Sequence, residues 1–169
     1  TATFYCFLAG APIVLRSYGV GPQSIGWYIM TVPLAYIAGN FLTSHLIHRL
    51  GESRLMAIGQ AANFGGLFLL LALGLAGVHH PLAFSLPLIL LGVGHGLLMP
   101  ACLAGTVGVM PALAGSAAAV AGLLQQLMGA VGGFTVGLVP HDGPVPLAAL
   151  MLAFTLLAAA SQVLVRPRR

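Results

Sequence analysis

The sequence predicts an all-α integral membrane protein with six transmembrane helices, on three observations. Of its 169 residues 59% are hydrophobic, and the formal charges amount to six Arg, one Glu and one Asp. A water-soluble domain devotes about 25% of its residues to Asp, Glu, Lys and Arg, so the composition excludes one. The longest stretch without a formal charge runs from Leu55 through His141, which leaves room for several crossings of about 20 apolar residues each. The full apolar segments each reach that length, whereas a tilted barrel strand needs only about 10 residues. The segments are therefore helices.

Charges and Gly/Pro punctuation bound the spans in order along a single unit, residues 1–169. The first covers about residues 2–16 and ends in a turn from Ser17 to Pro22, whose Gly and Pro residues favour a bend. The second, about 25–48, closes at the charged stretch Arg49-Leu50-Gly51-Glu52-Ser53-Arg54. The third, about 55–78, breaks at His79-His80-Pro81, and the fourth covers about 82–104. A small-residue connection through Met110-Pro111 leads to the fifth, about 112–139. A turn from Pro140 to Pro146 precedes the sixth, about 147–165, and Arg166, Arg168 and Arg169 lie at the end. The chain opens inside an apolar run without Met and without the charged leader of a signal peptide, and it reads as a fragment of a longer protein.

Orientation follows from the arginines, because Lys and Arg accumulate in short cytoplasmic loops. Arg49 and Arg54 follow the second span, and Arg166, Arg168 and Arg169 follow the sixth. An even number of crossings separates the two groups, so they share one face, assigned to the cytoplasm. Arg16, Asp142, His79 and His80 fall on the opposite face.

Other chemistries find little footing. The arginines are scattered between spans, without the clustered basic face that nucleic acid requires. Cys6 and Cys102 lie in apolar runs with no CxxC or CxxH spacing, which implies neither a disulfide framework nor a metal site. His45 and His48 lack the acidic partner of a HExxH zinc site. No span holds Asp or Glu for paired-carboxylate catalysis, and Ser116 lacks a Gly-x-Ser-x-Gly elbow. The expectation is a protein that is not an enzyme and has no cofactor and no metal.

Candidate functional residues are the polar ones at mid-span, since lipid offers them no partners. On the fifth helix Gly115, Gly122, Gly129, Gly133 and Gly137 recur with Ala119 and Gln126 at three- or four-residue spacing, a small-residue stripe on which another helix can pack. Gln126 is suited either to an interhelical hydrogen bond or to a ligand. On the fourth, Gly92 and Gly96 bracket His95, again a packing motif. An ionisable group at that depth marks a functional site by default, contacting substrate or moving protons; the alternative is a neutral ring bonded to a backbone carbonyl. Tyr36 and Asn40, with Thr43, share a face of the second helix, and Tyr28 and Trp27 lie nearer its outer end. Tyr5 and Arg16 lie on one face of the first, where Arg16 either snorkels to the surface or attracts substrate. Gln60 and Asn63 of the third share a face with Gly59 and Gly66 and are read as packing residues.

The stretch from Gly39 to Arg54 resembles the cytoplasmic loop signature of the major facilitator superfamily, in which a small residue precedes Arg-x-Gly and further basic residues. Gly10-Ala11-Pro12-Ile13-Val14-Leu15 with Tyr18-Gly19-Val20, then Met99-Pro100-Ala101-Cys102-Leu103-Ala104, then Ala114 to Val120 with Gln125 or Gln126, resemble the second half of a Bcr/CflA-type multidrug transporter. The resemblance implies helices seven to twelve of a proton-coupled multidrug antiporter in the bacterial inner membrane, one half, a 3+3 inverted repeat, of a major-facilitator fold. Its partners would be a small-molecule substrate, protons, the lipid bilayer and an N-terminal six-helix half, with no nucleic acid. The first, second, fourth and fifth helices would line a central cavity formed by Tyr5, Arg16, Tyr28, Tyr36, Asn40, His95, Met99 and Gln126. Arg49, Gly51 and Arg54 would form a gating loop, although Glu52 and Ser53 interrupt the usual basic run. The alternatives are a facilitator for one metabolite and, from another class, a histidine-using membrane enzyme or cofactor protein.

Overall fold

The computed structural model describes residues 1–108, 111–140 and 143–165. Met110, His141, Asp142 and the terminal Arg166, Arg168 and Arg169, used above for a connection and for sidedness, lie outside the described residues. The chain is helical: α1 (Ala2–Ser17), α2 (Pro22–Leu50), α3 (Glu52–Leu75), α4 (Pro81–Gly108), a short 3-10 turn at Pro111–Leu113, α5 (Ala114–Val136) and α6 (Pro144–Val165). Helices α2 to α6 are long and apolar enough to cross a membrane, and α1 is an apolar helix of 16 residues.

Helix ends depart from the sequence bounds where local chemistry acts. Helices α2, α3 and α6 start three residues earlier than expected, at Pro22, Glu52 and Pro144. Proline loses nothing at a first helical position, where its missing N–H would be unpaired anyway, and Glu52 complements the positive end of α3. Helices α1 and α3 end alike. Gly19 and Gly77 take φ of 77° and 71°, and the following N–H groups of Val20 and Val78 bond back to Leu15 and Leu73 at 3.1 Å each. This is the glycine-terminated Schellman cap, and it stops α3 before the expected Val78.

The expected Arg49–Arg54 loop is reduced to a joint at Gly51, whose φ of 76° and ψ of 159° both end α2 and start α3. That region is essentially restricted to glycine. Gly51→Ala is expected to cost about 1–3 kcal/mol, read as a lower midpoint of thermal unfolding in detergent. Gly65→Ala is the control, because a Cβ there meets nothing within 4 Å.

Helix α4 is the central post. Of its most apolar stretch 61% is buried, against 11% for α5. The reason lies in the glycines of its middle turns. A Cβ on Gly92 would lie 2.5 Å from the Val32 carbonyl, and one on Gly96 would collide with the Tyr36 carbonyl and sit 2.8 Å from the Gly39 Cα. Both face α2. Gly94 points the other way, against Gly59 and Asn63 of α3, and Gly66 of α3 abuts the Pro87 carbonyl. Small residues on two sides thus let α2 and α3 approach the α4 backbone, which is how helices pack where lipid is as apolar as leucine. Pro100 removes the donor that would pair with the Gly96 carbonyl, and Thr43 of α2 donates its hydroxyl to that oxygen at 3.0 Å.

Helix α1 packs on α5 and α6, and α6 packs on α3. Fully buried Phe7, Leu15, Leu67, Phe84, Leu88 and Met151 form the core among these elements. The expected small-residue stripe of α5 needs correction. Gly115, Gly122 and Gly133 have nothing within 4 Å of a would-be Cβ, and the nearest atom at Gly137 belongs to Phe134 of its own helix. At about 100° per residue the stripe holds to one face of the helix, and α1 meets only the edge of that face. Within the stripe, Gly129 meets α1; Gly132, outside it, lies under the Ala2 backbone.

Candidate functional site

At mid-bundle the helices leave a cleft of about 240 Å³ lined by Phe4 and Tyr5 of α1, Tyr36 of α2, His95 and Met99 of α4, and Gln125 and Gln126 of α5. Local packing sets each position. The Tyr5 ring lies over Gly129, where a Cβ would come within 2.9 Å of it, and the Tyr5 hydroxyl donates to Gln126 Oε1 at 3.1 Å. Gly129 therefore seats an aromatic side chain of the cleft rather than a helix backbone. Phe4 is the aromatic hub, its ring 6.2 Å from Tyr5, 6.1 Å from Phe7, 6.5 Å from Tyr36 and 6.1 Å from His95.

His95 is 7% exposed, and its Nδ1 lies 3.2 Å from the Leu91 carbonyl one turn back. That contact uses one ring nitrogen and leaves Nε2 as the group able to meet a ligand. Among the described residues, no carboxylate or guanidinium lines the cleft. What remains is an aromatic and thioether wall with two amides, two phenols, one imidazole and the Thr1 hydroxyl as side-chain hydrogen-bonding groups.

Of the eight residues expected in the cavity, Tyr5, Tyr36, His95, Met99 and Gln126 line this cleft, and Arg16, Tyr28 and Asn40 do not. Arg16 is exposed in the last turn of α1, about 16 Å along the axis from Tyr5 at 1.5 Å per residue. Tyr28 lies two turns from Tyr36 and rests on the apolar core. Asn40 lies against α4 instead, its backbone N–H near Gly96 and its Oδ1 buried without a protein partner. Arg49 and Arg54 are exposed on either side of Gly51. His45 stacks on Phe41, 4.4 Å between centroids, and turns Nδ1 to the Phe41 carbonyl at 3.0 Å.

Sequence reasoning passed over Phe4. Its type marks it only as apolar, and the available signal was its place beside Tyr5 in a span otherwise rich in small residues.

Apolar helices of spanning length around a polar-lined cleft define a multi-pass membrane protein with room for a small molecule. The family model of the Major Facilitator Superfamily matches residues 1–169. The chain is also 31% identical over 166 residues to a protein of Bacillus subtilis (strain 168) described as the uncharacterized transporter YycB. That match covers 94% of this chain and 40% of the relative, so the chain spans less than half the relative's length. No solved structure matches it. The chain belongs to the Major Facilitator Superfamily, and membrane transport is the activity that this family and the relative's description indicate.

Proposed function

We propose that this chain is the carboxy-terminal six-helix half of a proton-coupled exporter of hydrophobic or cationic drug-like molecules, built as a 3+3 inverted repeat. The observation that carries the reading is the cleft lining: Phe4, Tyr5, Tyr36 and Met99 beside His95, Gln125 and Gln126, with no charged side chain. Aromatic faces attract cations and apolar rings alike, and flexible thioethers adapt to varied shapes. A site for one defined metabolite would instead fix its ligand with charged pairs or a dense amide cluster, because unmatched buried polar groups reject the wrong ligand. The volume of about 240 Å³ is below the roughly 300–1,000 Å³ of a drug-sized site, which fits half of a cavity completed by a second six-helix unit.

Proton coupling in this reading depends on an acidic residue of that other half, since the spans here hold none beyond Glu52 at the first position of α3, with His95 as the local candidate. The Gly51 joint, flanked by Arg49 and Arg54, serves as a cytoplasmic hinge while the halves rock around a midplane site. The placement in a bacterial inner membrane, with this joint in the cytoplasm, rests on the arginine distribution and the resemblance.

The test is to express the full-length gene in a drug-sensitive, pump-deleted bacterium. Reduced susceptibility to several unrelated antibiotics and proton-dependent dye extrusion are expected. Protein that reaches the membrane intact and does neither overturns the multidrug reading.

A further inference from the structure

His95 has a second side. Behind it, between α1, α3, α4 and α6, lies a space of about 120 Å³ lined by Thr3, Gln60, Asn63, Thr155 and Gln162 as well as His95. Thr3, Gln60, Asn63 and Thr155 are each at least nine-tenths buried. Three of them are linked: the Thr3 and Thr155 hydroxyls lie 3.2 Å apart, and Gln60 Nε2 donates to the Thr155 carbonyl at 3.0 Å.

Asn63 stands apart. It is 2% exposed, and its Oδ1 is buried with no hydrogen bond from a protein group among the described residues. That oxygen presses against Gly94 beside the Gly59 carbonyl, so two acceptors crowd one point. A half-turn of the amide would exchange its donor and acceptor ends, bringing Nδ2 toward the Gly59 carbonyl and the oxygen toward the space behind His95. A sealed amide oxygen without a donor costs about 1–3 kcal/mol.

We propose that this rear space is an internal hydration site, holding water that pairs with Asn63 and Gln60 and solvates His95 from the side away from substrate. Its size corresponds to about four water molecules at ~30 Å³ each. It is too small for a drug-sized ligand, and among the described residues no three His, Cys, Asp or Glu side chains cluster to hold a metal ion. Polar cavities of this kind hold conserved water, whereas apolar ones stay dry.

His95 lines both spaces, as do Thr1 and Met99, so its ring forms part of the boundary between them. With Nδ1 directed to Leu91, Nε2 is the ring nitrogen left for a partner in either space. This role for His95 rests on the cleft being the substrate site; the hydration itself does not.

The test is water-edited solid-state NMR on the full-length, uniformly 15N-labelled protein in bilayers. Asn63 borders the rear space and not the front cleft. Its side-chain amide is expected to receive water magnetisation about threefold faster than the buried backbone amides of Leu67 and Leu88, as a group bonded to internal water should. Equal rates overturn the hydration site. Asn63→Leu, or Thr155→Val where that variant does not fold, is expected to reduce transfer to the His95 ring by about half, one of its two wet faces being lost. Unchanged transfer would show that His95 is wetted from the front alone and overturn its wetting from the rear. Neither readout involves a substrate, so a negative drug assay and a dry rear space are separate failures.

Discussion

Gly96→Ala is expected to yield little folded protein in the membrane, the largest effect of any single methyl group added to this chain. A Cβ there meets backbone on several sides: the Tyr36 carbonyl, the Asn40 nitrogen at 2.8 Å and the Gly39 Cα at 2.8 Å. Side chains could rotate away, but the backbone of α2 cannot yield without opening the whole α2–α4 contact. Overpacking usually costs about 1–3 kcal/mol, and the upper end or beyond applies where the obstacle is backbone. The same shift would pull Thr43 from the Gly96 carbonyl, 3.0 Å away, which Pro100 leaves without its helical donor. Yield of monodisperse protein and its melting midpoint measure the effect. The matched control is Gly122→Ala on α5, where no atom lies within 4 Å of the new methyl. There the better helix propensity of Ala, worth up to about 1 kcal/mol, acts unopposed. Equal behaviour of the two variants would mean that α2 and α4 are not packed through Gly39, Gly92 and Gly96.

The same contrast shows what could be read in advance. Membrane-spanning helices were legible because their signal is a mean over many residues, and a few misplaced boundaries leave it intact. The Gly92/Gly96 pair was legible because its spacing is one helical turn and both residues face one partner. Gly94 was not, because two residues along a helix point to a different side, and only the position of α3 shows that this side is occupied too. The α5 stripe differs for the complementary reason: composition marks a surface that can take a neighbour, and of its glycines Gly129 meets another helix of this chain among the described residues. Within the cleft, Tyr5, Tyr36, His95, Met99 and Gln126 could be marked by type and depth. Arg16 and Tyr28 carried equally plausible types and were separated from the cleft by axial distance alone, whereas Phe4 carried no polar flag. Gln60 and Asn63 were read as packing residues. Their burial agrees with that, but the Asn63 oxygen without a partner is a property of three-dimensional neighbours and had no counterpart in the sequence.

His95→Ala is expected to lower transport by at least about tenfold, equivalent to ~1.4 kcal/mol, with membrane expression close to that of the unmodified protein. Expression should survive because the ring's assigned polar contact is to Leu91 of its own helix, so no interhelical bond seen in the structure is broken. Gly92, Gly94 and Gly96, which set the approach of α2 and α3, remain in place. What is lost is part of the boundary between the two spaces and the ring 6.1 Å from Phe4. His95→Gln separates two contributions, since an amide restores a donor and an acceptor at that depth without a flat ring. If Gln recovers transport, hydrogen bonding to the ligand is what His95 supplies; if it does not, the aromatic contact through Phe4 or the titratable ring nitrogen is. Tyr5→Phe provides the comparison from the opposite wall, removing the hydroxyl bonded to Gln126 at 3.1 Å while keeping the ring seated on Gly129. Because that bond is exposed, its loss should change transport severalfold less than His95→Ala, in line with the ~0.6 kcal/mol average of polar contacts between membrane helices. Should His95→Ala instead abolish expression while Tyr5→Phe and His95→Gln transport normally, the ring serves packing, and the substrate role assigned to it fails.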